Sequence, residues 1–156
     1  MPIASTVEEY LEEHGIRYEV IKHPRSVSSS RIAEAAHVPG DRVAKSVLLA
    51  DESGYVVAVL PSTHRLDLEQ LCGKIARNVN FAGEQTITQI FADCDPGAVP
   101  PLGPAYNVET IVDDSLLTEP EIYFEAGDHE ALVRVSGEEF RALMADRPHG
   151  QFSFRA

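Results

Sequence analysis

The stretch Arg42-Val-Ala-Lys-Ser-Val-Leu-Leu-Ala50, followed by Asp51-Glu-Ser-Gly54 and Tyr55-Val-Val-Ala-Val-Leu60, decides the fold. Two runs rich in β-branched and aliphatic residues flank a short polar turn that ends in glycine, the pattern of a β-hairpin. The second arm, Val56–Leu60, is apolar without alternation. That strand is therefore predicted to be buried on both faces, so the hairpin must sit inside a covered sheet.

The flanking sequence offers the cover. Ser5-Thr-Val-Glu8 reads as a capping box, with Val7, Tyr10 and Leu11 as a helical stripe and Gly15 as its left-handed stop. Arg17–Lys22 alternates as a strand and stops at Pro24. Ser28–Ser30 offers caps for a short helix through Ala36. After the hairpin, Asp67 caps a helix that Gly73 is expected to end, and a second helix runs from Glu84 to Phe91. A Pro/Gly-rich turn spans Asp95–Pro104. Strands are expected at Val108–Val112, Glu121–Phe124 and Glu130–Val135, the last with Leu132, Val133 and Val135 inward. Ser136-Gly-Glu-Glu139 is a second capping box, and Phe140, Leu143 and Met144 face the core. The tail after Pro148 is expected to be loose. Strands and helices mix without a strict βαβ rhythm. The fold class is therefore α+β, a curled, barrel-like mixed sheet with flanking helices, in one domain over residues 1–156.

Composition narrows the function classes. The chain has 156 residues, 44% hydrophobic and 24% charged, which is globular. No apolar run reaches the roughly 20 residues of a membrane span. The start, MPIASTVEEYLEEHG, lacks a basic segment followed by an apolar one, so it is not read as a secretion signal. Cys72 and Cys94 form no CxxC, and two free thiols in a reducing cytoplasm is the simplest reading. A net charge of −12 opposes bulk attraction to nucleic acid. The charge is uneven, however. Arg17, Lys22, Arg25, Arg31, Arg42 and Lys45 meet only Glu19, Glu34 and Asp41, while eleven acids lie between Glu109 and Asp146. One part of the surface is thus expected to be locally basic.

Phosphate-loop, dinucleotide, HExxH and GxSxG motifs are absent, and the six histidines show no metal-ligand spacing. No metal or cofactor is expected. Lys45 stands in an otherwise apolar strand, where it either points to solvent or reaches a cleft as a point charge for a phosphate or carbonyl oxygen. Gly97-Ala-Val-Pro-Pro-Leu-Gly103 is stiffened by Pro100 and Pro101. It is either a plain surface turn or a rigid one whose N–H groups bind an oxyanion. Gly127-Asp-His129 is another turn, and its histidine could bind an amino acid or orient water. Tyr18 and His23 flank a strand that could border the same cleft.

Taken in order, these elements resemble the YbaK/prolyl-tRNA-synthetase-associated domain family of aminoacyl-tRNA deacylases. The resemblance runs over roughly Val7 to Leu143. It rests on His23-Pro24, the strand Ala44-Lys45-Ser46-Val47-Leu48-Leu49, Pro61 after the second strand, the GxxxP-type turn Gly97–Pro101 with Leu102-Gly103, Val112-Asp113, and the late Gly-Asp-His turn. It implies a trans-acting editor that hydrolyses the ester of mischarged tRNA. Lys45 and the turn residues Gly97, Ala98, Val99 and Pro101 would carry the chemistry. Tyr18, His23, Val27, Ser28, Gly103 and His129 would line the substrate pocket. The implied partners are mischarged tRNA and a synthetase such as prolyl-tRNA synthetase, and a monomer is the default for this size. The turn departs from many relatives, which carry a second glycine and a serine where this chain has Ala98 and Pro100. Pro100 donates no N–H, so Ala98, Val99 or a neighbour must supply the oxyanion donors. A synthetase pocket rejects a slightly smaller amino acid by only about 1–3 kcal/mol. A small misacylated residue such as Ala, Ser, Thr or Cys is the expected substrate. A non-catalytic tRNA- or synthetase-binding module, and a different small-ester or thioester hydrolase, stay open beside it.

Overall fold

The computed structural model of the chain describes residues 3–25 and 29–156. Helices α1 (Ser5–Glu13), α2 (Ser29–Ala36), α3 (Leu68–Ile75), α4 (Glu84–Ile90) and α5 (Gly137–Leu143) surround a mixed sheet. Its strands are β1 (Glu19–Lys22), β2 (Val43–Asp51), β3 (Gly54–Pro61), β5 (Asn80–Phe81), β6 (Glu109–Asp113), β7 (Glu121–Glu125), β8 (Ala131–Ser136) and β9 (His149–Gly150). The order is β1-β8-β7-β2-β3-β6-β9, with β5 also on β2. A second, two-stranded sheet joins β4 (His64–Leu66) to β10 (Ser153–Arg155). The mixed sheet with flanking helices is the architecture expected from the sequence.

The hairpin forms as read, with Lys45 opposite Leu60 and Asp51 opposite Gly54. Its second arm is buried on both faces. Val57 and Val59 join the main core with α1, α5 and the Leu102 region, while Val56, Ala58 and Leu60 face Leu71, Val79 and Phe152. A third cluster puts Ile32 and Ala33 of α2 on Val43, Tyr123 and Leu132.

Three local expectations are corrected. Ser5 does not cap α1. The N-cap is Ala4, without a side-chain cap, and the Thr6 N–H is instead taken by the Asp93 carboxylate at 3.0 Å. A donor at a helix start needs an acceptor, and here a distant segment supplies it. Gly73 does not end α3. The helix runs to Ile75 and stops at Ala76, which adopts φ 55°. The caps at Asp67 and Ser136 form as read, accepting from the Gln70 and Glu139 N–H groups at 3.1 Å each.

The tail is not loose. β9 lies parallel to β6, β10 pairs with β4, and Phe152 is fully buried. The buried Asp113 carboxylate fixes it. One oxygen accepts from Ser115 N–H at 3.0 Å and Ser115 Oγ at 2.6 Å. The other accepts from Phe152 N–H at 3.1 Å and Ser153 Oγ at 2.7 Å. Burial alone would raise the Asp113 carboxyl, but the bonds from Ser115, Phe152 and Ser153 outweigh it and hold it below the usual range.

Candidate functional site

Strand register brings the site together. β2 runs parallel to β7 through Val43 opposite Tyr123 and Ala44 opposite Phe124. Ala44 and Phe124 face the main core, whereas Val43 and Tyr123 face the α2 cluster. Side chains alternate along a strand, so Lys45 and Glu125, one residue further on each, share the α2-side face. Glu125 is opposite Leu132 on β8, and Leu132 is opposite Ile21 on β1. His23 follows Ile21 by two residues and belongs to the same face and the same end of the sheet.

Above this end lie the two turns singled out in the sequence. They are stitched by Asp95 N–H to Gly127 O at 2.7 Å and Gly127 N–H to Ala98 O at 3.2 Å. His129, 2% exposed, braces them from below. Its Nε2 is 2.6 Å from the Pro96 carbonyl and its Nδ1 is 3.0 Å from Glu125 Oε1. A carbonyl only accepts, so Nε2 carries a proton and donates. Glu125, 7% exposed, is pushed up to about 7 by burial, against the opposing pull of His129. Glu125 was not singled out in the sequence. In Glu-Ile-Tyr-Phe-Glu it reads as the polar edge of a strand, and the only signal was its spacing of four residues from His129 across a turn.

Gly97 adopts φ +83°, and a Cβ there would meet His129 Cε1 at 3.4 Å. The conformation favours glycine, and the close approach lets the imidazole sit under the turn. The Ala98 side chain is fully buried and its N–H is committed to Asp95 O at 3.0 Å. Ala98 is therefore not a free donor. Among the described residues, the N–H groups of Gly97 and Val99 have no acceptor. Gly97 is exposed and Val99 half-buried. Pro100 and Pro101 are buried and hold the turn's inner side. Gly103 is buried too, and a Cβ there would collide with Thr110 Oγ1 and the Val108 carbonyl. Packing against β6 accounts for that glycine without a ligand.

Lys45 is half-buried, and its Nζ donates to the His64 carbonyl at 2.6 Å. Burial, and secondarily Arg65, lowers its pKa. None of its hydrogen bonds reaches the Gly97 turn. His64 is itself tied to the tail, with Nδ1 2.9 Å from Ser153 Oγ. His23 is buried, and its Nδ1 donates to the Pro24 carbonyl at 2.7 Å. Its Nε2 is left as a buried acceptor with no partner among the described residues. Tyr18 is placed elsewhere, beyond the opposite end of β1. It lines a cavity of about 520 Å³ with Arg17, Glu19, Arg134, Ser136, Glu138 and Glu139. Val27 and Ser28 lie outside the described residues.

The basic set is partly compensated: Arg42 pairs with Glu119 at 3.1 Å and Arg25 with Asp95 at 3.8 Å. Both cysteines are free thiols. Burial pushes Cys94 up to about 12, which leaves it a poor nucleophile. Among the described residues no group of three His, Cys, Asp or Glu side chains could hold a metal, and no helix is long and apolar enough to cross a membrane.

Residues 23–143 match the model of the aminoacyl-tRNA editing domain. The chain belongs to that family. The match begins at His23 and takes in β2, the Gly97 turn, Glu125 and His129. No curated protein matches this chain. Solved structures share its fold at low identity. A protein described as a "putative trans-editing enzyme for prolyl tRNA synthetase" superposes with TM-score 0.85 at 23% identity, covering 99% of this chain and 98% of that one. A protein described as hypothetical gives TM-score 0.84 at 21% identity, covering 96% of this chain and 100% of its own. A "putative signal transduction protein" from Marinobacter aquaeolei gives 0.77 at 21%, covering 95% of this chain but 30% of that one.

Proposed function

We propose that this editing domain is an aminoacyl-tRNA deacylase that acts in trans on tRNA mischarged with a small amino acid such as Ala, Ser, Thr or Cys. The observation that carries the reading is the pair of N–H groups, Gly97 and Val99, which have no acceptor among the described residues, on a turn braced by His129. An ester needs little more than positioning and a place for its developing oxyanion. Water, or water assisted by the neighbouring ribose hydroxyl, attacks the carbonyl carbon. The carbon–ribose oxygen bond breaks, the ribose oxygen takes the proton, and a free amino acid and free tRNA leave. Each donor placed on the oxyanion contributes about 3 kcal/mol.

Lys45 is cast as a positioner of phosphate or ester, not as a base. Its Nζ must leave the His64 carbonyl, or share it, to do so. His23 Nε2, a buried acceptor on the same face, suits a donor group of the substrate. The reading includes a monomeric, cytoplasmic protein that meets tRNA alone or with a synthetase such as prolyl-tRNA synthetase. A panel of tRNAs charged with Ala, Ser, Thr and Cys, assayed for release of the amino acid, tests it. Hydrolysis of at least one is expected, with a fall of roughly a hundredfold for Lys45→Ala. Binding of these tRNAs without hydrolysis would overturn it and favour a non-catalytic module.

A further inference from the structure

We propose that Glu125 is a positioning residue for the editing turn: one proton shared between its carboxyl and His129 Nδ1 keeps the imidazole Nε2–H committed to the Pro96 carbonyl. The Gly97 and Val99 N–H groups are thereby held in place. This rests on the reading of that turn as the oxyanion holder.

The proton inventory is fixed by the geometry. Nε2 must donate, because the Pro96 carbonyl 2.6 Å away cannot. Nδ1 then either donates to a Glu125 carboxylate or accepts from a Glu125 carboxyl across 3.0 Å. Either way a single proton lies between Nδ1 and Oε1, and the buried pair is neutral overall. If that proton is lost, two lone pairs face each other. The ring answers by moving its remaining proton from Nε2 to Nδ1, and a lone pair then faces the Pro96 carbonyl. The brace under Gly97, whose Cα carries no side chain to hold the turn otherwise, is released.

The surroundings favour keeping the proton. Burial opposes a lone carboxylate, and Asp128 on the same turn opposes it further. The other titratable groups on neighbouring elements are Lys45 on β2, His23 after β1, Glu130 before β8, Asp95 with Arg25 beside the turn, and Arg31 and Glu34 on α2. Across β8 the residue opposite Glu125 is Leu132, whose side chain is apolar.

The test uses Glu125→Gln and Glu125→Ala in the full chain. A glutamine amide can donate to Nδ1 without titrating, so Glu125→Gln is expected to keep near-normal turnover and to lose the decline of wild-type rate above about pH 7. Glu125→Ala is expected to lower kcat roughly tenfold with little change in KM, because the lost order matters most to the oxyanion. Nitrogen-15 spectra of the His129 ring are expected to show Nε2–H in wild type and Glu125→Gln, and a tautomer mixture in Glu125→Ala. An Ala variant with wild-type kcat and unchanged His129 tautomer overturns the proposal. So does a Gln variant as impaired as the Ala variant. If wild type hydrolyses no mischarged tRNA, the deacylase reading fails while the ring spectra still decide whether Glu125 sets the brace.

Discussion

Replacing Asp113 by alanine removes the acceptor for four hydrogen bonds at once: two from Ser115, one from Phe152 N–H and one from Ser153 Oγ. The two bonds from Ser115 lie at the start of a short 3-10 turn and can pass to water. The two from the tail cannot, because Phe152 is fully buried and Ser153 nearly so. Leaving both donors unpaired in the interior costs about 1–3 kcal/mol each. Detaching the tail instead exposes Phe152, which costs about 1.5–3 kcal/mol, and returns some chain entropy. Detachment is the cheaper course, so the expected loss of stability is about 2–3 kcal/mol, read as a shift in the urea midpoint. Amide exchange of Phe152–Arg155 should become fast in the same variant. Turnover should fall as well, because Ser153 anchors His64, whose carbonyl holds Lys45. Asp113→Asn keeps one acceptor and should fall between. The Asp113 contribution is present above the ordinary carboxyl value of 3.8 and is lost as pH falls through its depressed folded value. A midpoint within about 0.5 kcal/mol of wild type for Asp113→Ala, with protected tail amides, would refute the reasoning.

Gly97→Ala places a methyl against His129 in a backbone region costly for L residues. We expect a loss of about 1–2 kcal/mol in thermal or urea stability and a larger proportional loss of deacylation. Equal small losses in both would show that the turn is not the site. Burial pushes the Glu125 carboxyl up to about 7, above its ordinary 4.5. A raised folded value means its contribution is complete below about pH 4.5 and lost as pH rises through about 7. Relative to Glu125→Gln, wild type should therefore lose stability across that window in urea melts at stepped pH. A pH-independent difference would contradict it. Cys94 should react slowly with a thiol reagent at neutral pH and rapidly only after unfolding. A fast native reaction assigned to Cys94 by mass would show that the thiol is not held up by burial.

The parts legible in the sequence were those with a local physical signature. The hairpin of β2 and β3 is announced by its turn residues and by an apolar run with no polar face. The Asp67 and Ser136 caps are announced by a side chain that needs only its own next turn. Gly97 and His129 were legible as turn residues, but their contact was not, because 32 residues separate them. Glu125 was missed although His129 is only four residues on, because the turn that brings the two together lies beyond the end of its strand. The tail was misread because the alternation of Phe152-Ser-Phe154 is too short to announce a strand, and Asp113, which fixes it, lies some 40 residues earlier. Ser5 has the right spacing for a capping box, yet tertiary structure supplied Asp93 as a better acceptor.

The edge strand β1 finds its partner β8 at a separation of 115 residues, as the Arg134–Glu19 ion pair shows. His23 reaches its place only when that pairing forms, and His129 only when β7 and β8 have closed beside β2. Such distant pairings are slow to find, because loop-closure entropy opposes each of them until many contacts form together. The proposed site therefore has no partly active precursor. After dilution from denaturant, catalytic activity should return in a single phase, at the rate of global folding and no faster.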